Sequence, residues 1–375
     1  MAPCGATPLV AWLAERCAAP GGLPFRDFMA AALYHPQWGY YASGKALIGR
    51  GGDFITSVSV GPCFGQLLAR RIARWHAESA CGPAWPLVEQ GAHDGHLMAD
   101  ILEALASHGT AGPQVFLVEP FPALRARQEA TLAPWAGAIR WVASLDHLPA
   151  EAKAGVFVAN ELLDAFPVER VRVHGARWHR LHVAATGDPS VPFTWACATA
   201  APPDLAAALA GRPAAGYPEG YTTDVRPQLG EWARALASHA APRLALLADY
   251  GFEEADYFHP SRTDGTLRCY THQRAHDDPL AAPGEADITA HVNWTAVVDA
   301  LAAAGFAVAA PRDQGKWLTA VAMPRLAAIE AGGPPDEPTR AWLRQFLTLS
   351  HPAHLGARFQ IVETRLDPAR PPIPG

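Results

Sequence analysis

Pro86-Leu-Val-Glu-Gln-Gly91-Ala-His-Asp-Gly95-His-Leu-Met-Ala-Asp100-Ile-Leu102 is the stretch that decides how this chain folds. A short apolar run, Leu87-Val88, ends in Glu89. Glycines stand at 91 and 95, and Leu97, Met98, Ile101 and Leu102 then recur at helical spacing. That is the order of a buried strand, a tight turn and a helix whose first amides face a ligand. Glycine lets a backbone approach a ligand and adopt positive φ, so nucleotide-type cofactors are commonly held at such turns. The spacing is G-x-x-x-G, neither the dinucleotide G-x-G-x-x-G nor a P-loop. On pattern alone, a cofactor turn and an ordinary strand–helix turn both stay open.

Working outward, apolar runs at 115–119, 139–142, 156–160 and 244–249 read as further strands, with helical patterns at 97–105 and 123–131 between the first of them. Repeated β-α-β of this kind predicts a mostly parallel, doubly wound α/β sheet with sites at the strands' carboxyl ends. Three of these strands end in polar residues: Glu119, Asn160-Glu161 and Asp249. A single acidic strand end is usually a solvated terminus, whereas several on one edge indicate a site. Glu119 follows Glu89 by 30 residues and suits a ribose diol. Upstream, 7–18 and 25–33 read as helices, with Thr7 as N-cap and Pro8 at the first position. The loop Gly49-Arg-Gly-Gly52-Asp-Phe-Ile-Thr56-Ser57 is either a solvated loop or one that lines a ligand.

The alternation breaks between 168 and 242, where a hairpin with a three-residue loop, His174-Gly175-Ala176, is expected inside an insertion. The segments 306–309 and 318–322 read as closing strands. The expected organisation is an N-terminal helical segment with its glycine-rich loop (1–82), a core (83–325) carrying the insertion at about 168–242, and a C-terminal extension (326–375).

Composition excludes several classes. A net charge of −6 argues against a general nucleic-acid binder. No apolar run approaches the roughly 18 residues of a membrane span, so no membrane insertion is expected. The six cysteines are scattered without a C-x-x-C pair, which reads as reduced thiols of a cytoplasmic protein. Histidines and acids between 251 and 291 lack metal-ligand spacing, so no metal is expected. Homo-oligomerisation is left open.

Further blocks carry a resemblance: His35-Pro-Gln-Trp-Gly-Tyr-Tyr41, Gly52-Asp-Phe-Ile-Thr56, Phe64-Gly-Gln-Leu67, Ala159-Asn-Glu-Leu-Leu-Asp-Ala-Phe-Pro167, Asp249-Tyr-Gly251, Gly265-Thr-Leu-Arg-Cys-Tyr270 and Asp278-Pro-Leu-Ala-Ala-Pro-Gly-Glu-Ala-Asp-Ile-Thr-Ala-His291. In that order, from about residue 20 to about residue 325, the chain resembles the MidA family of class I S-adenosylmethionine-dependent methyltransferases. The resemblance implies a Rossmann-like sheet of seven mainly parallel strands with a terminal antiparallel hairpin, N-terminal helices and an inserted substrate-side region. It implies S-adenosyl-L-methionine as cofactor, with Gly91 and Gly95 along its methionine part and Glu119 at its ribose. Gly52, Asp53, Thr56 and Asn160 would close around it, beside Glu89 and His93. The family's mitochondrial members are protein arginine methyltransferases, so the resemblance implies a protein arginine as acceptor.

One departure stands out. Where the family reads Glu-x-Gly-x-Gly-x-Gly, this chain has Glu89-Gln-Gly91-Ala-His93-Asp-Gly95, with histidine for the middle glycine. A side chain there sits where the backbone approaches the cofactor, although histidine is among the residues that tolerate positive φ best. For the acceptor, Glu161 with Asp164 suits a guanidinium, which stays cationic and pairs bidentately with carboxylates. Alternatively, Asn160-Glu161 and Asp164 cap a following helix. A rival function is a non-catalytic partner-binding protein that keeps the fold. A nicotinamide-dependent oxidoreductase shares the turn logic but lacks its glycine motif.

Overall fold

Both faces of the central sheet are covered, so its inner strands, such as Leu87-Val88, Val115–Val118 and Val156–Ala159, read as near-continuous apolar runs and keep polar residues mainly at their ends. The computed structural model describes residues 7–44, 56–79, 81, 82, 84–110, 112–200, 205, 208, 209, 211–271 and 274–366. Three helices come first: α1 (Pro8–Cys17), α2 (Phe25–Tyr34) and α3 (Cys63–Ser79). Thr7 caps α1 as expected, its hydroxyl accepting from Val10 N at 3.3 Å. The first half of the sheet then follows as β1 (Pro86–Gln90), α4 (His96–Ser107), β2 (Gln114–Val118), α5 (Pro122–Thr131), β3 (Ile139–Val142) and β4 (Val156–Asn160).

An antiparallel sheet interrupts this core: β5 (Glu169–His174), β6 (Arg177–Ala185), β7 (Phe193–Ala200) and β8 (Thr222–Val225), with Leu23–Pro24 pairing on β6. The β5–β6 hairpin corrects the expected three-residue loop. His174 pairs with Arg177, and Gly175 and Ala176 sit at φ 55° and 57°. That is the two-residue turn whose twist matches its strands. The inserted strands end at Val225, and α6 (Leu229–Ala235) returns to the core, where Trp232 packs with Phe157 and Val88.

The chain continues with β9 (Leu244–Phe252), then β10 (Leu267–Thr271) and β11 (Asp287–Ala290) in a small side sheet. It ends with α7 (Trp294–Ala303), β12 (Phe306–Val308), α8 (Gln314–Ala331), α9 (Glu337–Ser350) and β13 (Phe359–Leu366). The core sheet runs β12-β13-β9-β4-β1-β2-β3. All neighbours from β9 to β3 are parallel, and β13 is antiparallel to both β9 and β12. Two short strands, Val292–Asn293 and Arg312–Asp313, pair at its rim.

Residues 318–322, expected as a closing strand, lie inside α8, and the closing strand is β13. A five-residue apolar run has no periodicity that separates strand from buried helix. Chain beyond residue 325 supplies β13, the second strand from one edge of the sheet, and Phe64, Leu67 and Ile72 of α3 share one buried cluster with Leu87, Val115 and Val158. Strand order reverses between β1 and β4, which opens a crevice beyond their carboxyl ends.

Candidate functional site

That crevice is a cavity of about 730 Å³. Its floor is the turn after β1. Gly91, His93 and Gly95 all take left-handed backbone, at φ 81°, 48° and 85°. A Cβ at Gly91 would lie 3.1 Å from Leu162, and one at Gly95 3.1 Å from Leu132, so both glycines serve conformation and close packing together. The histidine that replaces the middle glycine therefore keeps the turn's backbone. Glu89 is buried, with one carboxylate oxygen unpartnered, and burial followed by the Asp94 charge pushes it up to about 8.

Glu119, one residue past β2, is fixed from two directions. Phe121 N donates to Oε1 at 2.9 Å, and Gln128 Nε2 donates to Oε2 at 2.9 Å. Burial raises its carboxyl, and these two donors work against that. Each oxygen retains room for a further donor.

The adjoining wall follows β4, where residues 161–167 form turns and no helix. This removes the reading of Asn160, Glu161 and Asp164 as helix caps. Glu161 takes φ 50°, a strained conformation for a residue of its size, while its amide donates to Ala248 O at 2.9 Å. Its Oε1 accepts from Asn160 Nδ2 at 3.0 Å, and its Oε2 has no partner. Burial first, then the Asp164 charge, push Glu161 up to about 8. Asp164 is 1% exposed; one oxygen accepts from the Tyr250 hydroxyl and the other is unpartnered. The turn itself hangs on Asp249, whose Oδ2 accepts from Leu163 N at 3.0 Å and Asp164 N at 3.2 Å.

The structure brings Thr56, Glu89, Gly91, His93, Glu119, Asn160, Glu161 and Asp164 to this one cavity, with Gly95 just behind the floor as the cap of α4. The Thr56 hydroxyl is engaged locally, accepting from Ser59 N at 3.1 Å. Gly52 and Asp53 lie outside the described residues.

Several lining residues escaped the sequence reading. Tyr34 and Tyr41 stack at 5.4 Å across the mouth; the Tyr34 hydroxyl donates to Ala165 O at 2.7 Å and the Tyr41 hydroxyl to Asp287 Oδ1 at 2.8 Å. Asp287 belongs to the side sheet, 246 residues from Tyr41. Both tyrosines and Asp287 fall in or beside quoted sequence blocks, which was the available signal. Gln128 carried none, being one polar residue on an otherwise ordinary helix.

The unpartnered groups decide what fits. Glu89, His93, Asn160, Glu161 and Asp164 each present a buried polar atom without a hydrogen bond, an arrangement native proteins keep where a ligand completes it. A nucleoside with a cationic tail matches them. Glu119 would take a ribose, the glycine turn would pass beside the tail, and the carboxylates would face positive charge.

Comparison with known proteins gives the same reading. Residues 67–312 match a family described as S-adenosyl-L-methionine-dependent methyltransferases. A mouse protein named protein arginine methyltransferase NDUFAF7, mitochondrial, is 29% identical over 312 residues, spanning 77% of this chain and 68% of its own. The rat protein of that name is 28% identical over 381 residues, spanning 94% and 83%. A Burkholderia thailandensis structure bound to S-adenosyl-homocysteine superposes with a TM-score of 0.83 at 31% identity, covering 96% of this chain and 93% of its own. The rodent names overturn the cytoplasmic placement. Isolated thiols, such as the free Cys17, Cys63, Cys81 and Cys269, report a reducing environment and do not say which compartment provides it. Among the described residues no helix is long and apolar enough to cross a membrane.

Proposed function

The chain belongs to this family of S-adenosyl-L-methionine-dependent methyltransferases, and from that premise we propose that it methylates an arginine side chain of a protein. The observation that carries the acceptor is the convergence of Glu161, Asp164 and Asp287 on the cavity wall beside the glycine turn. Unpartnered oxygens on Glu161 and Asp164, and a Glu161 carboxyl raised by burial and by its acidic neighbour, describe a cluster of acids that buried Arg226, bonded to the Asp164 carbonyl, offsets only in part. An arriving guanidinium supplies further positive charge, ionises the acids and pairs with them bidentately.

In this reading Glu89, Gly91, His93, Gly95, Glu119 and Asn160 hold the cofactor, with Thr56, Gly52 and Asp53 on the adjoining loop. Bound there, S-adenosylmethionine supplies an electrophilic methyl group on a sulfonium sulfur. The chain's own contribution is alignment and charge. Glu161 fixes the guanidinium plane, and Asp164, braced by Tyr250, holds its second edge. Because a guanidinium keeps its proton up to a pKa above about 12, the nitrogen becomes a nucleophile only as its N–H proton passes to a carboxylate. Glu161 is the nearest candidate for that proton. Tyr34, Tyr41 and Phe121 give the flat cation an aromatic surface and exclude water. The rival reading, a partner-binding protein without catalysis, drew on His93; a turn that keeps its left-handed backbone with histidine in place gives it no support.

The test is incubation of purified protein with labelled cofactor and a mitochondrial lysate, followed by acid hydrolysis of labelled proteins. Label in methylarginine supports the assignment. Label on another residue type or on a small molecule would refute it.

A further inference from the structure

His93 is the one point where the cavity floor departs from a run of glycines. Its ring lines the cavity with its side chain only 14% exposed, and neither ring nitrogen has a hydrogen-bond partner. Its charged neighbour is Asp94, whose Oδ2 stands 3.8 Å from Nδ1, within ion-pair range but beyond a hydrogen bond, and which bonds His96 Nδ1 at 2.9 Å instead. The residue is nevertheless held firmly. Gln128, wholly buried, donates from the same Nε2 to His93 O at 3.0 Å and to Glu119 Oε2 at 2.9 Å, while its Oε1 accepts from Trp141 Nε1 at 3.0 Å. One immobilised amide thus ties the histidine's backbone to the Glu119 carboxylate, and both residues line the same cavity.

We propose that His93 and Glu119 together clamp the vicinal hydroxyls of the cofactor's ribose, the imidazole bonding one hydroxyl and the carboxylate the other. This rests on the reading of the cavity as the S-adenosylmethionine site. A glycine at position 93 supplies no such group. The histidine therefore adds a directed hydrogen bond where a bare turn offers only close approach.

Calorimetric titration with S-adenosylhomocysteine and with its 2′,3′-dideoxyribose analogue tests this on the full chain, using wild type, His93→Gly and His93→Asn. Thermal unfolding without ligand controls for folding. The glycine variant is expected to bind S-adenosylhomocysteine about tenfold more weakly, the scale of one buried hydrogen bond. Wild type and variant should bind the dideoxy analogue equally. Asparagine, which also tolerates positive φ and keeps an amide, should fall between them. Should the glycine variant fail to fold, the asparagine variant against the two ligands gives the same comparison. A glycine variant that binds S-adenosylhomocysteine as tightly as wild type, or more tightly, overturns the proposal. So does an equal loss for both ligands, which would place the effect in the turn and not at the ribose. Wild type that binds neither ligand would refute the cofactor reading itself, and the clamp with it.

Discussion

The turns after β1 and β4 sit side by side at the reversal of strand order, yet they work by opposite means. The first presents backbone: two glycines in left-handed conformation and a helix N-terminus. The second presents acid: Glu161 and Asp164, pinned from beneath by Asp249 and Tyr250. Each contains one non-glycine residue at nearly the same positive φ, His93 at 48° and Glu161 at 50°. Strain of this kind, about 1–3 kcal/mol per residue, persists where the surroundings hold it and a side chain must point a particular way. Under the proposed function the two turns divide the labour, cofactor against one and acceptor against the other.

That division makes its largest prediction at Glu161. Glu161→Gln removes the charge that holds the guanidinium and receives its proton, so turnover should fall about 10²- to 10⁴-fold. Affinity for S-adenosylhomocysteine should stay within about twofold. Steady-state kinetics beside calorimetry reads both, and a parallel collapse of cofactor binding would erase the distinction between the turns.

Next comes the converse change, Gly91→Ala. A Cβ there adds strain at φ 81° and presses Leu162 at 3.1 Å. About 1–3 kcal/mol of stability should go with it, together with cofactor affinity. Denaturant melts and titration measure the pair; a variant as stable and as tight-binding as wild type would show that the floor does not need glycine.

A third prediction concerns pH. Glu89 and Glu161 stand at about 8 in the folded protein against an ordinary 4.5. Between these values the folded state binds more protons than the unfolded one, so each group's contribution is full below pH 4.5 and is lost as pH climbs through 8. Ligand-free protein should therefore lose stability over that window, and Glu89→Gln should flatten the slope. Urea denaturation at a series of pH values checks it, and a stability that rises with pH would contradict the burial of both acids. Acceptor binding has the opposite sign: kcat/KM should increase towards pH 8 as the acids ionise. The smallest effect is expected from Tyr41→Phe. It deletes the bond to Asp287, costing about 1 kcal/mol, and should raise the acceptor's KM a few-fold while cofactor affinity stays put.

Much of the first turn was legible because strand, glycine turn and helix are local in sequence. The residue-type logic for Glu161 was legible too, although its proposed alternative as a helix cap required a structure to remove. What stayed hidden was assembled from a distance. Tyr41 meets Asp287 across 246 residues, Gln128 reaches His93 from another helix, and β13 finds β9 only after two long helices intervene. Polar Gln360, Glu363, Thr364 and Arg365 break up 359–366, whereas 318–322 is a more apolar run, and hydrophobicity favours the wrong one. Local pattern carries no information on which partner a segment will find.

The place of β13 has a consequence for how the protein is made. It lies between β9 and β12 and pairs with both, so the sheet cannot close until residue 366 has left the ribosome. Ala245, for instance, waits for Thr364. Until then β9 offers a bare apolar edge, the sort that pairs with other chains. Such long-range closure is slow, and a nascent chain of this protein has reason to meet a chaperone before it meets a substrate.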